Sequence, residues 1–193
     1  MPILERVPTP VPEDFARVRS PFEGDLIRLR AVEEEDLPRL NDLIWDPSVT
    51  ASLGLTFPES VAQTREWWER NRSQKDGQPF AIETLPGELI GSCGLHEIEA
   101  HARSAILGVW IAEPYWDRGY GTDAVRTLCR FGFREMNLRR ISLHVHATNP
   151  RAMRAYEKVG FKEEGRLRDE EFTAGEPTDV VVMGMLAEDL AEA

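Results

Sequence analysis

An α/β domain is the fold class this sequence predicts, and three observations predict it. Apolar-rich runs at residues 80–84, 89–95 and 104–111 follow one another with only Pro86-Gly87 and the polar stretch 99–103 between them, the spacing of an antiparallel meander. A compact glycine turn then separates the apolar run ending at Ile111 from an amphipathic segment beginning near Asp123: Trp116-Asp117-Arg118-Gly119-Tyr120-Gly121-Thr122. Finally, an alternating strand pattern at 141–145, a well-delimited helix after Asn149 and an apolar run at 180–186 supply a further strand-helix-strand unit.

The elements follow in chain order. Residues 1–22 carry Pro2, Pro8, Pro10, Pro12 and Pro21 with little apolar periodicity and read as an N-terminal arm; the domain proper is 23–193. Asp25-Leu26-Ile27-Arg28-Leu29-Arg30 alternates as a first strand. A helix from about Asp36 sets Leu37, Leu40, Leu43 and Ile44 on one face, and Asp46-Pro47 closes it, since proline disfavours the helical conformation in the residue before it. The apolar stretch 53–58 reads as a lid or as an ordinary packed loop. Ser60-Val61-Ala62-Gln63 has capping-box spacing, which starts a helix running to about Arg72 and carrying Trp67 and Trp68 as core or cleft wall.

After the glycine turn, Ala124, Val125, Leu128, Cys129, Phe131 and Gly132 share one side of a helix that ends near Met136-Asn137. Ile141, Leu143 and Val145 then alternate with Ser142, His144 and His146. Asn149 caps the next helix, Pro150 occupies its first turn and Gly160 ends it, which fixes Tyr156 two turns in. The run 180–186 is apolar throughout, as in a strand buried on both faces. Charge runs 33–36 and 169–171 read as solvated faces, and 187–193 as a short acidic tail.

With 193 residues the chain fits one domain. No apolar run reaches the roughly 20 residues a bilayer requires, and the N-terminus lacks the order of a signal peptide, so no membrane partner and a cytoplasmic location are expected. Cys93 and Cys129 form no disulfide framework and sit in apolar segments, the setting of inert thiols. The net charge of −11, from 34 acidic and 23 basic side chains, argues against a nucleic-acid partner. It favours a cationic acceptor if it is more than a solubilising surplus.

Two segments together carry a family resemblance: Glu113 through Gly121, and Asn149-Pro150-Arg151-Ala152-Met153-Arg154-Ala155-Tyr156-Glu157-Lys158-Val159-Gly160-Phe161. They resemble the acetyl-coenzyme A site of the GNAT N-acetyltransferases, in particular the ribosomal-protein N-terminal branch (RimJ/RimL-like) and, through Ser142–Val145 and Tyr156–Gly165, the bacterial spermidine N-acetyltransferases. The resemblance implies a GNAT fold, a central mixed, mostly antiparallel sheet with helices on both faces. It implies an acyltransferase that moves an acetyl group from acetyl-CoA to a primary amine, either a protein N-terminus or a small molecule such as a polyamine or aminoglycoside. A homodimer is compatible with family habit. A non-catalytic acyl-CoA-binding sensor or assembly module is the reading from another class.

A glycine turn before a helix aims unpaired amides at one spot near the positive end of the helix dipole, which suits a phosphate. The cofactor's pyrophosphate is accordingly expected on the amides of Arg118, Gly119, Tyr120, Gly121 and Thr122. Trp116 stands where the superfamily pattern has Gln or Arg. The resemblance further implies that the strand before the turn splays from the strand after the helix, that backbone groups of Val109, Trp110 and Ile111 face the pantetheine arm and an oxyanion, and that Asn149 holds that arm besides capping its helix. It assigns Tyr156 as general acid, against a purely structural aromatic. For the general base, the Glu of related enzymes is replaced here by Ile106, which leaves Glu97, His144 and His146, ordered water, or an acceptor needing no base. No metal site is signalled, since two histidines lack a third ligand.

Overall fold

The computed structural model describes residues 20–71, 77, 79–173 and 175–191. Most of the N-terminal arm, the predicted helix end at Arg72 and the last residues of the acidic tail lie outside the described residues. Seven strands form one sheet in the order β1-β2-β3-β4-β5-β7-β6: β1 Ile27–Ala31, β2 Pro79–Thr84, β3 Leu89–Glu99, β4 Ser104–Ile111, β5 Arg140–His146, β6 Lys162–Thr173 and β7 Glu176–Leu186. Only β4 and β5 run parallel, which makes the sheet mixed and mostly antiparallel as expected. The helices are α1 Leu37–Ile44, α2 Pro47–Leu53, α3 Val61–Asn71, α4 Tyr120–Arg134 and α5 Pro150–Val159.

Both sheet faces are covered. On one, Ala124, Val125, Leu128 and Cys129 of α4 and Val159 of α5 pack on Ile27, Ile90, Leu107, Ile141 and Met183. Burying each of the Val, Leu, Ile and Met side chains among them stabilises the fold by about 1.5–3 kcal/mol. On the other, Leu37, Leu40 and Trp68 close over Val32 and Ala81, with Leu89 and Trp110 packed alongside. Phe22, at the end of the stretch read as the arm, joins the first layer with ring centroids 4.8 Å from Phe131 and 5.6 Å from Phe80.

Cap chemistry set several boundaries where the sequence placed them. The Ser60 hydroxyl accepts from the Gln63 N–H and the Gln63 side chain accepts from the Ser60 N–H, a reciprocal capping box. Asn149 accepts the Ala152 N–H at 3.1 Å and α5 ends at Gly160. Two elements depart from the expectation. Asp46-Pro47 closes α1 but also opens α2, because Pro47 sits in the first turn and the Asp46 carboxylate accepts the Ser48 N–H at 2.9 Å. Residues 162–173, whose acidic run reads as a solvated face, form the edge strand β6; main-chain pairing to β7 holds them, and the exposed charges guard the sheet edge. No helix among the described residues is long and apolar enough to cross a membrane.

Candidate active site

The parallel β4–β5 ladder is short: Ser104, Ala105 and Ile106 pair with Arg140, Ile141 and Ser142, and the strands then part. The gap opens into a cleft of about 400 Å³, walled by residues 107–111 of β4, residues 144–146 of β5, the glycine turn and α5. Ser52 and Leu53 of α2 close one side.

At one end lies the turn. Asp117 and Gly119 adopt positive φ values of 56° and 86°, the second of which glycine alone adopts cheaply, and α4 starts at Tyr120 rather than near Asp123. The first main-chain bond of α4 runs from Asp123 N–H to the Gly119 carbonyl at 3.0 Å. Among the described residues no acceptor meets the N–H groups of Arg118, Gly119, Tyr120, Gly121 or Thr122. A Cβ on Gly121 would meet nothing within 4 Å, so an anion can approach the main chain there. Buried Asp123 anchors this end, its carboxylate accepting the N–H groups of Asp25, Leu26 and Ile27 at 3.1, 2.7 and 3.2 Å.

The β4 wall is only partly available. Ala112 N–H donates to the Ile90 carbonyl, which sets the register so that the main-chain groups of Trp110 turn to β3, while those of Leu107, Val109 and Ile111 turn to the gap. The Ile111 carbonyl is taken by the Trp116 indole N–H at 2.6 Å. Of the three backbone positions expected for the pantetheine arm, Val109 therefore presents both its groups, Ile111 its N–H, and Trp110 neither. Asn149 lines the cleft while its side chain caps α5.

Tyr156 reaches the cleft from α5, its ring edge-on to Phe161 at 6.0 Å. Burial raises its phenol to about 12, against a small opposing pull from Arg151, so the group stays protonated at any physiological pH. The residue keeps 9% of its surface exposed and lines the cleft. His146 is buried at the far side, with Nε2 2.7 Å from Oε2 of Glu171 on β6. A carboxylate only accepts, so Nε2 is the donor, and in the neutral imidazole that leaves the lone pair on Nδ1. Gly54, the left-handed cap of α2 with φ 66°, roofs this pair; a Cβ there would stand 2.7 Å from the Glu171 carboxylate and 3.2 Å from the His146 ring.

The structure thus gathers Tyr156, His146, His144, Asn149, Val109 and much of the glycine turn around one cleft. Glu97 is not brought there. It lines a separate hollow with Ile106, Ser142 and Arg140, because β3 runs on past Leu95 and the last rung of the β4–β5 ladder, Ile106 with Ser142, stands between the two spaces. Sequence reasoning missed Glu171 and gave no part to Arg151, whose guanidinium carbon lies 3.3 Å from the Trp116 ring centroid. Glu171 sits in a run read as solvated, whereas Arg151 was visible inside the motif next to a tryptophan at an unusual place. Cys93 and Cys129 are buried with thiols pushed far up by desolvation, as inert cysteines are.

The acetyltransferase (GNAT) domain family model matches residues 27–162. Spermidine N(1)-acetyltransferase of Vibrio cholerae is 33% identical over 128 residues, 66% of this chain and 74% of that protein. A Bacillus subtilis protein named as a candidate ribosomal N-acetyltransferase is 30% identical over 62% of this chain and 64% of its own length. The crystal structure of the Vibrio cholerae spermidine N-acetyltransferase in complex with CoA and spermine superposes with a TM-score of 0.80 at 30% identity, covering 84% of this chain and 96% of that one.

Proposed function

We propose, from the premise that this chain belongs to the GNAT acetyltransferase family, that it acetylates a primary amine and that its preferred acceptor is the α-amine of a peptide or protein. The cofactor is acetyl-coenzyme A, which supplies an acetyl thioester for the amine to attack and a thiolate to leave. One observation carries the reading: the cleft between the parted strands holds unpaired turn amides, a protonated phenol and a histidine-carboxylate pair together.

Each group has a step. The amides from Arg118 to Thr122 bind the diphosphate at the positive end of α4. The Val109 N–H faces the gap and stabilises the carbonyl oxygen as it gains charge. Tyr156 donates its proton to the departing sulfur; the burial that raises this phenol also raises a thiol held beside it, so the two stay matched. The Nδ1 of His146 takes the proton of the attacking amine while Glu171 holds the ring. Imidazole bases, with a reference pKa of about 6.5, lie closer to an α-ammonium at about 7.7–8.0 than to an aliphatic ammonium at about 10.4. That difference supports the α-amine and the ribosomal-protein branch, in keeping with the absence of a carboxylate at Ile106.

A second reading, a polyamine acceptor, is favoured by the relatives that are spermidine acetyltransferases and by the half-exposed Glu171 carboxylate. Thiol release from acetyl-coenzyme A, measured with N-terminal peptides, polyamines and aminoglycosides, separates the two. Peptides are expected to give the highest kcat/KM. Tyr156→Phe should lower kcat by about 10²–10⁴-fold. Because the phenol titrates near 12, that ratio should stay constant from about pH 7 to 10. A ratio near one removes Tyr156 as the acid, and cofactor binding without turnover on any amine removes the enzymatic assignment of this cleft.

A further inference from the structure

We propose that Arg151 is the side chain that clamps a phosphate of coenzyme A, held in place for that task by Trp116. The inference rests on coenzyme A being the acyl carrier and adds a residue to its recognition. Arg151 is the second residue of α5 and lines the same cleft as the glycine turn. Its guanidinium carbon lies over the indole of Trp116, 3.3 Å from the ring centroid, and the indole is pinned by its own N–H to the Ile111 carbonyl. Stacking fixes one face of the guanidinium and leaves its edge, with the fork of donors, free to meet an anion in plane.

Half-buried cations are normally paired, because taking a charge out of water costs more than an exposed contact returns. Among the described residues no carboxylate lies within ion-pair distance of Arg151; Asp117 and Glu113 act on it only through space. Burial accordingly pushes the guanidinium below its ordinary range, with Asp117, Tyr156 and Glu113 pulling the other way. The missing counter-charge is supplied if a phosphate enters the cleft, where turn amides meet it on one side and the guanidinium on the other. The arrangement also accounts for Trp116 at the first position of the turn motif: a cation absent from that position comes from α5, and the tryptophan is its platform.

Calorimetric titration of the full chain with coenzyme A and with 3′-dephospho-coenzyme A tests this, with wild type, Arg151→Ala and Arg151→Lys. Arg151→Ala is expected to weaken coenzyme A binding by about 10- to 100-fold. Arg151→Lys, which keeps the charge but loses the planar fork and the stack, should recover only part of it. An equal loss with 3′-dephospho-coenzyme A identifies the diphosphate as the partner, and a loss confined to coenzyme A identifies the 3′-phosphate. Should Arg151→Ala fail to fold, the comparison of wild type with Arg151→Lys carries the same expectation. Variants that bind both ligands as wild type does overturn the clamp while leaving the enzyme intact. A wild type without affinity for either ligand overturns the functional reading itself.

Discussion

Tyr156, His146 and Glu171 meet at one cleft, and the proposed chemistry depends on their single atoms. Tyr156 was legible because a capped helix dictates its place: Asn149 starts α5, Gly160 stops it, and the phenol falls at a fixed angle between them. Glu171 was not legible, because it stands 25 residues from His146 in a run of charges, and nothing local marks one carboxylate among several as the one that turns inward. Its role has a direct test. Glu171→Gln keeps the size and a hydrogen-bonding oxygen but removes the charge that holds the Nε2–H tautomer of His146. The expected outcome is a fall in kcat/KM of about 10- to 100-fold, the cost of a misplaced catalytic group, with coenzyme A affinity unchanged in calorimetry. Unaltered kinetics would reduce the pair to a packing contact between β5 and β6.

At the scale of elements, the junction of β1 with α4 positions the glycine turn. The sequence shows a glycine turn before a helix but not what fixes the helix start in space. Buried Asp123 does that by receiving three consecutive N–H groups at the entry to β1, with Gly24 leaving room: a Cβ there would come within 2.2 Å of the carboxylate. Asp123→Ala strands those donors and should cost about 3 kcal/mol, a fall in Tm of about 10 °C on thermal melting. Asp123→Asn keeps an accepting oxygen and should fall by less. Equal melting of Asp123→Ala and wild type would mean that water replaces the carboxylate and that the junction is not anchored this way. The strand β6 teaches the converse lesson, since its residues lack apolar alternation and become a strand only by pairing with β7.

For the whole molecule, the net charge of −11 is a field rather than a contact. A field of that sign would draw a cationic acceptor over distances that salt screens, as the Debye length falls from about 30 Å at 0.01 M to about 3 Å at 1 M. The kcat/KM for a doubly or triply charged acceptor is therefore expected to drop about tenfold across that range in steady-state assays, while an acceptor without extra charge changes little. Salt-independent kinetics for both would leave the acidic surplus as a matter of solubility. The exposed apolar side chains Leu55 and Phe57 that follow α2 contribute nothing to the field, with Phe57 81% exposed.

The amino-acid order alone determined what local rules can carry: the sheet strands with apolar patterning, the caps of α3 and α5, the glycine turn, and hence the family. Tertiary structure alone decided which groups meet. It separated Glu97 from Tyr156 across the rung of Ile106 and Ser142, joined His146 to Glu171, and turned the Trp110 backbone to β3 while leaving Val109 in the gap. The physical reason is the same in each case. Caps and turns are settled by neighbours a few residues away, whereas strand register, the point at which two strands part, and the pairing of distant charges depend on packing that is cooperative across the whole sheet.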